Sequence, residues 1–147
     1  MTATRLLQFF KQFGSYCDRC FAPLSQAHGL SMREINVLLF LINNPGYDTA
    51  RSITEYRGIS KSQVSQAVDF LAELGYLTRT PDAEDRRLIH LTLTAEGRAL
   101  ASQAQGIQLQ CVESLLQGMS AHQRDQVQEL WEIMMNNAAQ LSGEVAL

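Results

Sequence analysis

A mainly α-helical fold with one small β-hairpin is the class this sequence predicts, and three observations predict it. Between Gly58 and Gly97 a capped amphipathic segment gives way to a short alternating one with a charged turn. Long stripes of apolar residues at helical spacing lie on both sides of that stretch. The chain has 147 residues, enough for one substantial core but with little room for a second, and no linker or low-complexity run divides it.

The first element is a helix over Leu6 to Leu24, where Leu6, Phe9, Phe10, Phe13, Tyr16, Cys17, Cys20, Phe21 and Leu24 gather on one stripe. The stripe is too amphipathic and too interrupted for a signal peptide or a membrane span. A cytoplasmic protein with no membrane partner is the expectation. Further on, Thr49 to Tyr56 reads as a short supporting helix capped by Asp48 or Thr49, and Arg57-Gly58 forms the tight turn after it. Ser60 then opens a second helix, with Gln63 three residues on to complete a capping box. Val64, Ala67, Val68, Leu71 and Leu74 make its buried stripe, and Gly75 stops it.

The opposite face of that helix carries Lys61, Ser62, Gln63, Ser65 and Gln66, and no carboxylate appears until Asp69. Hydroxyls, amides and a cation suit base edges and phosphates. Tyr76 to Thr80 and Leu88 to Leu93 alternate as two strands around a turn from Pro81 to Arg87. Asp82, Glu84 and Asp85 in that turn would repel a phosphate backbone, so Arg86 and Arg87 must project beyond them for the turn to hold DNA. Asp85 is expected to orient Arg87 by a charge-assisted hydrogen bond, and an arginine at a narrow tip suits the minor groove. His90, alternating with Ile89 and Leu91, reads as a solvent-facing strand residue. A long helix then begins near Thr94 and carries Ile107, Cys111, Val112, Leu115, Leu116 and Met119. Ser120 with Gln123 caps a last helix bearing Val127, Leu130, Trp131, Met134 and Leu141.

This order of supporting helix, second helix and hairpin is the layout of a winged helix-turn-helix. The run SKSQVSQAVDFLAELGYL, then DAEDRR and LIHLTLTAEGRAL, with HGLSMREINVLLFL upstream, resembles the MarR family of bacterial transcription regulators over about Phe21 to Leu100. The resemblance implies one domain over residues 1–147: a winged helix-turn-helix at about 31–100, flanked by N- and C-terminal dimerisation helices at about 3–28 and 101–143. It places Ser62, Gln63, Ser65 and Gln66 in the major groove, Lys61 on phosphates and Arg87, oriented by Asp85, in the minor groove, with Ser60 and Arg86 beside them. Glu84 stands where the family often has arginine, which removes one positive charge from the wing.

The resemblance further implies a homodimeric repressor on double-stranded DNA with a pseudo-palindromic site, its recognition helices about 34 Å apart. The apolar faces of the flanking helices favour the same association on physical grounds. Such regulators generally answer to a small aromatic or anionic effector held where the dimerisation helices meet the winged domain. Here that junction would be lined by Tyr16, Cys20, His28, Met32, Ile35 and Tyr47.

The net charge of -3 looks wrong for a DNA binder, but beyond Arg98 the only basic residue is Arg124, so the acidic excess sits in the tail. Three cysteines without a secretory signal imply a reduced compartment. Cys17 and Cys20 read first as small buried apolar groups, and second as an oxidant sensor. No nucleophile and base pair, phosphate-cradling glycine loop or zinc-type ligand set is evident, so neither catalysis nor a metal or cofactor is expected. A winged protein-interaction module without operator binding is the competing function.

Overall fold

The computed structural model describes residues 2–143. In chain order the elements are α1 (Ala3–His28), α2 (Met32–Asn43), α3 (Ala50–Arg57), α4 (Lys61–Glu73), β1 (Leu77–Pro81), β2 (Ile89–Leu93), α5 (Ala95–Leu115) and α6 (Ala121–Ser142). They form two compact units, Met1–Cys111 and Val112–Leu147.

The first unit is built on a core that every one of its elements enters. Ile35, Leu38, Leu39 and Phe40 from α2 meet Ile53 from α3 and Val64, Ala67 and Leu71 from α4, all essentially without exposed surface. Phe21 and Leu24 of α1, Leu77 and Leu91 of the hairpin, and Leu100, Ala101 and Ala104 of α5 close the cluster. Each helix start is fixed by its own sequence. Thr49, one of the two candidate caps, accepts from the Ser52 N–H at 3.1 Å and caps α3. Ser31 caps α2 in a capping box with Glu34, whose carboxylate is buried but takes the Ser31 N–H at 2.7 Å. The turn between α3 and α4 passes through Gly58 at φ 62°, a left-handed conformation that a glycine adopts without strain.

β1 and β2 pair antiparallel from Leu77 opposite Leu93 to Pro81 opposite Ile89. The first strand thus starts one residue later than the alternation suggests and runs into Pro81, at the strand end where a missing N–H costs least. Thr94 fastens the hairpin to α5: its hydroxyl donates to the Gly75 carbonyl at 2.7 Å, and its N–H to that of Tyr76 at 3.1 Å.

In the second unit Ser120 caps α6 in a box with Gln123, and Arg124 bonds Glu113 at 2.6 Å. No residue of α6 is buried, and Leu130, Trp131, Ile133, Met134 and Met135 are all exposed. The helix expected to run on to Met119 ends at Leu115, and the turn beyond it contains Gly118 at φ 84°. Among the described residues no helix is long and apolar enough to cross a membrane.

Candidate nucleic-acid interface

α4 is two-faced, as its apolar spacing requires. Val64, Ala67, Val68 and Leu71 are buried against the core, while Lys61, Ser62, Gln63, Ser65 and Gln66 are all exposed on the other side. The Ser60 hydroxyl accepts from the Gln63 N–H at 3.3 Å, and the Gln63 side-chain oxygen accepts from the Ser60 N–H at 3.3 Å. The side-chain oxygen of Gln66 is likewise engaged, by Arg33 Nη1 at 2.8 Å. With both oxygens taken by donors, neither amide's NH2 group has a hydrogen-bond partner among the described residues, so each is available to donate. The surface therefore offers two amide donors, the hydroxyls of Ser62 and Ser65 and the Lys61 ammonium. Asp69, the first carboxylate along this face, is neutralised in an ion pair with Arg79 of β1.

The hairpin turn is organised by its acids. A bond from the Asp82 N–H to the Leu88 carbonyl at 2.9 Å closes the loop. Asp82 Oδ1 then accepts from the N–H groups of Glu84 and Asp85, each at 2.8 Å. Asp85 does not reach the Arg87 guanidinium; its Oδ1 accepts instead from the Arg87 backbone N–H at 3.0 Å. The expected charge-assisted bond is thus replaced by an Asx-type turn, because a carboxylate two residues back meets the amide without ordering a long side chain. Arg86 and Arg87 are exposed, and among the described residues neither they nor Lys61 enters an ion pair.

His90 departs from its expected solvent-facing role. It is half-buried, with Nδ1 2.9 Å from Asp48 Oδ1 and Nε2 3.0 Å from Asp82 Oδ2. Those bonds to Asp48 and then Asp82 raise its pKa above the ordinary histidine value. Asp82 is held down to about 2, first by the Asp85 N–H and then by His90. Alternation along one strand could not reveal these partners, because Asp48 lies on a segment distant in sequence.

The residues expected around an effector have separate partners. Ile35 has no exposed surface and belongs to the core, so in this conformation it gives a ligand nothing to touch. His28 Nδ1 lies 3.2 Å from the Tyr76 hydroxyl, and Tyr47 packs edge-on to Tyr56 with ring centroids 5.0 Å apart. Met32 is partly buried against the core, and Tyr16 and Cys20 are half-buried on α1. A cavity of about 190 Å³ opens elsewhere, between the end of α2, Pro45, Gly46 and β2, with Asp48 and Arg98 on its wall. Cys111 is buried beside Cys20 and Cys17, and burial pushes its thiol up to about 12. Among the described residues no group of three His, Cys, Asp or Glu side chains is placed to hold a metal ion.

Comparison with known proteins places this geometry in context. Residues 28–88 match the sequence profile of the MarR family. The HTH-type transcriptional regulator TcaR of Staphylococcus aureus (strain Newman) is 25% identical over 131 residues, covering 88% of this chain and 85% of TcaR. A MarR transcriptional regulator from Methanosarcina mazei Go1 superposes with a TM-score of 0.80 at 22% identity, over 94% of this chain and 99% of the other. BpsR of Bordetella bronchiseptica, whose DNA binding is regulated by 6-hydroxynicotinic acid, superposes at 0.68 and 21% identity, over 88% and 98%.

Proposed function

Because this chain belongs to the MarR family, we propose that it is a DNA-binding transcription regulator that acts as a homodimeric repressor on a pseudo-palindromic duplex. One observation carries the reading. The exposed face of α4 and the tip of the hairpin present Lys61, Arg86 and Arg87, none of them in an ion pair among the described residues, while Asp69 is paired with Arg79 and Asp82 is bonded to His90, which leaves Glu84 and Asp85 as the unpaired acids of the tip. A chain of net charge -3 thereby keeps three unpaired cations, Lys61, Arg86 and Arg87, against two unpaired acids where a duplex would lie. In this reading Ser62, Gln63, Ser65 and Gln66 enter the major groove, Ser60 and Lys61 contact phosphates, and Arg86 and Arg87 reach the minor groove from a loop shaped by Asp85.

The dimer is supported by α6, which buries none of its residues, and by Leu7 and Phe10 on the exposed side of α1. Apolar surface of that extent on a single chain favours association. Occlusion of a promoter by the bound dimer gives repression. A small aromatic or anionic effector, as with BpsR, would change the spacing of the two recognition helices and release the DNA. Sedimentation equilibrium combined with DNA footprinting upstream of the chain's own gene tests the proposal. A dimer protecting two half-sites about one helical turn apart supports it, and a monomer that protects nothing in that region or in genomic selection refutes it.

A further inference from the structure

The wing is tied to the rest of its unit by a charged bridge on the far side of β2. One edge of β2 pairs with β1, and against the other edge runs the segment ahead of α3, through a bridge between Thr49 and His90 and a bond from the Leu91 N–H to the Asp48 carbonyl at 2.7 Å. His90 stands at that junction, with Nδ1 2.9 and 3.0 Å from the two oxygens of Asp48 and Nε2 3.0 Å from Asp82 Oδ2. An ionised carboxylate only accepts, so each ring nitrogen must supply a hydrogen, and the ring that satisfies both is the imidazolium. The bridge continues at either end. Asp82 holds the loop N–H groups of Glu84 and Asp85 with its other oxygen, and Asp48 immediately precedes the Thr49 cap of α3.

We infer that His90, Asp48 and Asp82 are positioning residues for DNA binding: an imidazolium clamp that fixes the wing, and with it Arg86 and Arg87, relative to the helix-turn-helix and loosens as the pH rises. The inference rests on the DNA-binding function proposed above. Asp48, from the segment ahead of α3, and Asp82, from the wing loop, are the charged groups that act on the ring, and both favour its protonated form against partial desolvation. The folded pKa lies above the unfolded one, so the clamp's contribution is complete below the ordinary histidine value of about 6.5 and is lost as pH rises through the folded value. A neutral ring has one N–H and can serve one carboxylate. The other then faces a lone pair, and either the loop or the α3 end must let go.

Two measurements test the clamp. Imidazole NMR of the DNA-free protein, with His90 assigned by His90→Gln, gives the ring's pKa. Anisotropy on an operator duplex at constant ionic strength, from about pH 5.5 to 8.5, compares wild type with His90→Gln and Asp82→Asn. The expected result is a ring pKa above the ordinary value, wild-type affinity that falls severalfold across that titration, and a pH-flat His90→Gln that matches wild type at the alkaline end. Asp48→Asn replaces any variant that does not fold. A ring that titrates at or below the ordinary value, or identical pH profiles for wild type and His90→Gln, overturns the clamp. If wild type binds no duplex at any pH the DNA-binding reading itself fails, and the NMR titration alone then decides whether the ring is clamped.

Discussion

Gly97 sits in the first turn of α5 under the Tyr76 carbonyl, and a methyl group added there would lie 1.7 Å from the Tyr76 oxygen and 2.7 Å from its carbonyl carbon. Both atoms are backbone, so Gly97→Ala must push α5 and the start of β1 apart. That oxygen is also the acceptor of the Thr94 N–H, and the neighbouring Gly75 carbonyl accepts the Thr94 hydroxyl. Overpacking costs about 1–3 kcal/mol, and the two bonds at risk add about 1 kcal/mol each. The better helix propensity of alanine returns about 1 kcal/mol. A net loss of about 2–4 kcal/mol follows, which at a urea slope of about 2 kcal/mol/M lowers the midpoint by roughly 1–2 M. Gly106 is the control, since it lies in the same helix with nothing within 4 Å of the added atom. Urea unfolding of both variants at one protein concentration is the assay. Gly106→Ala should match or exceed wild type, and a Gly97→Ala midpoint that moved with it would refute the argument.

Further outcomes follow from the same contacts. Ser60→Ala removes the cap of α4 and should cost about 1 kcal/mol in unfolding and, on the proposed function, weaken DNA binding, because α4 frays at the end proposed to meet the duplex. At neutral pH iodoacetamide should modify Cys17 and Cys20 well before Cys111, whose thiol is buried and pushed up to about 12; peptide mass spectrometry that found Cys111 alkylated first would contradict its placement. Asp82 is held at about 2, below its unfolded value, so its contribution to stability is present above that value and is lost as pH falls towards 2. Asp82→Asn should therefore flatten the acid limb of the stability curve measured by urea unfolding, and an unchanged limb would show that the loop bonds carry no such linkage.

Much of the fold was legible because its signals are local. Ser60 and Gln63, Gly75, and the stripe from Val64 to Leu74 specify α4 within sixteen residues of chain, and the structure keeps all of them except Leu74, which ends the helix as its C-cap and stays 45% exposed. The hairpin was legible for the same reason, apart from its exact ends. What stayed hidden depends on contacts between distant segments. His90 alternates like a solvent-facing residue, and only the segment at Asp48 and the turn at Asp82 make it a bridge. Nothing in the local sequence marks Gly97, whose close approach to the Tyr76 carbonyl arises only when β1 and α5 come together. The exposed face of α4 could be named from sequence, but that Arg33 occupies the oxygen of Gln66 could not, since it reaches across from another helix. Asp85 and Arg87 were correctly paired as neighbours, with the wrong atom of Arg87, because backbone and side-chain donors share one sequence spacing.

The most direct test of the DNA-binding account is fluorescence anisotropy on a duplex selected by the wild-type protein from a random pool, titrated with salt beside a scrambled duplex and Arg87→Ala. The account predicts tight binding to the selected duplex alone, a logarithmic salt dependence of several counterions, and a slope reduced by about one in Arg87→Ala. Equal affinity for selected and scrambled duplexes, indifferent to salt and to the substitution, would contradict it.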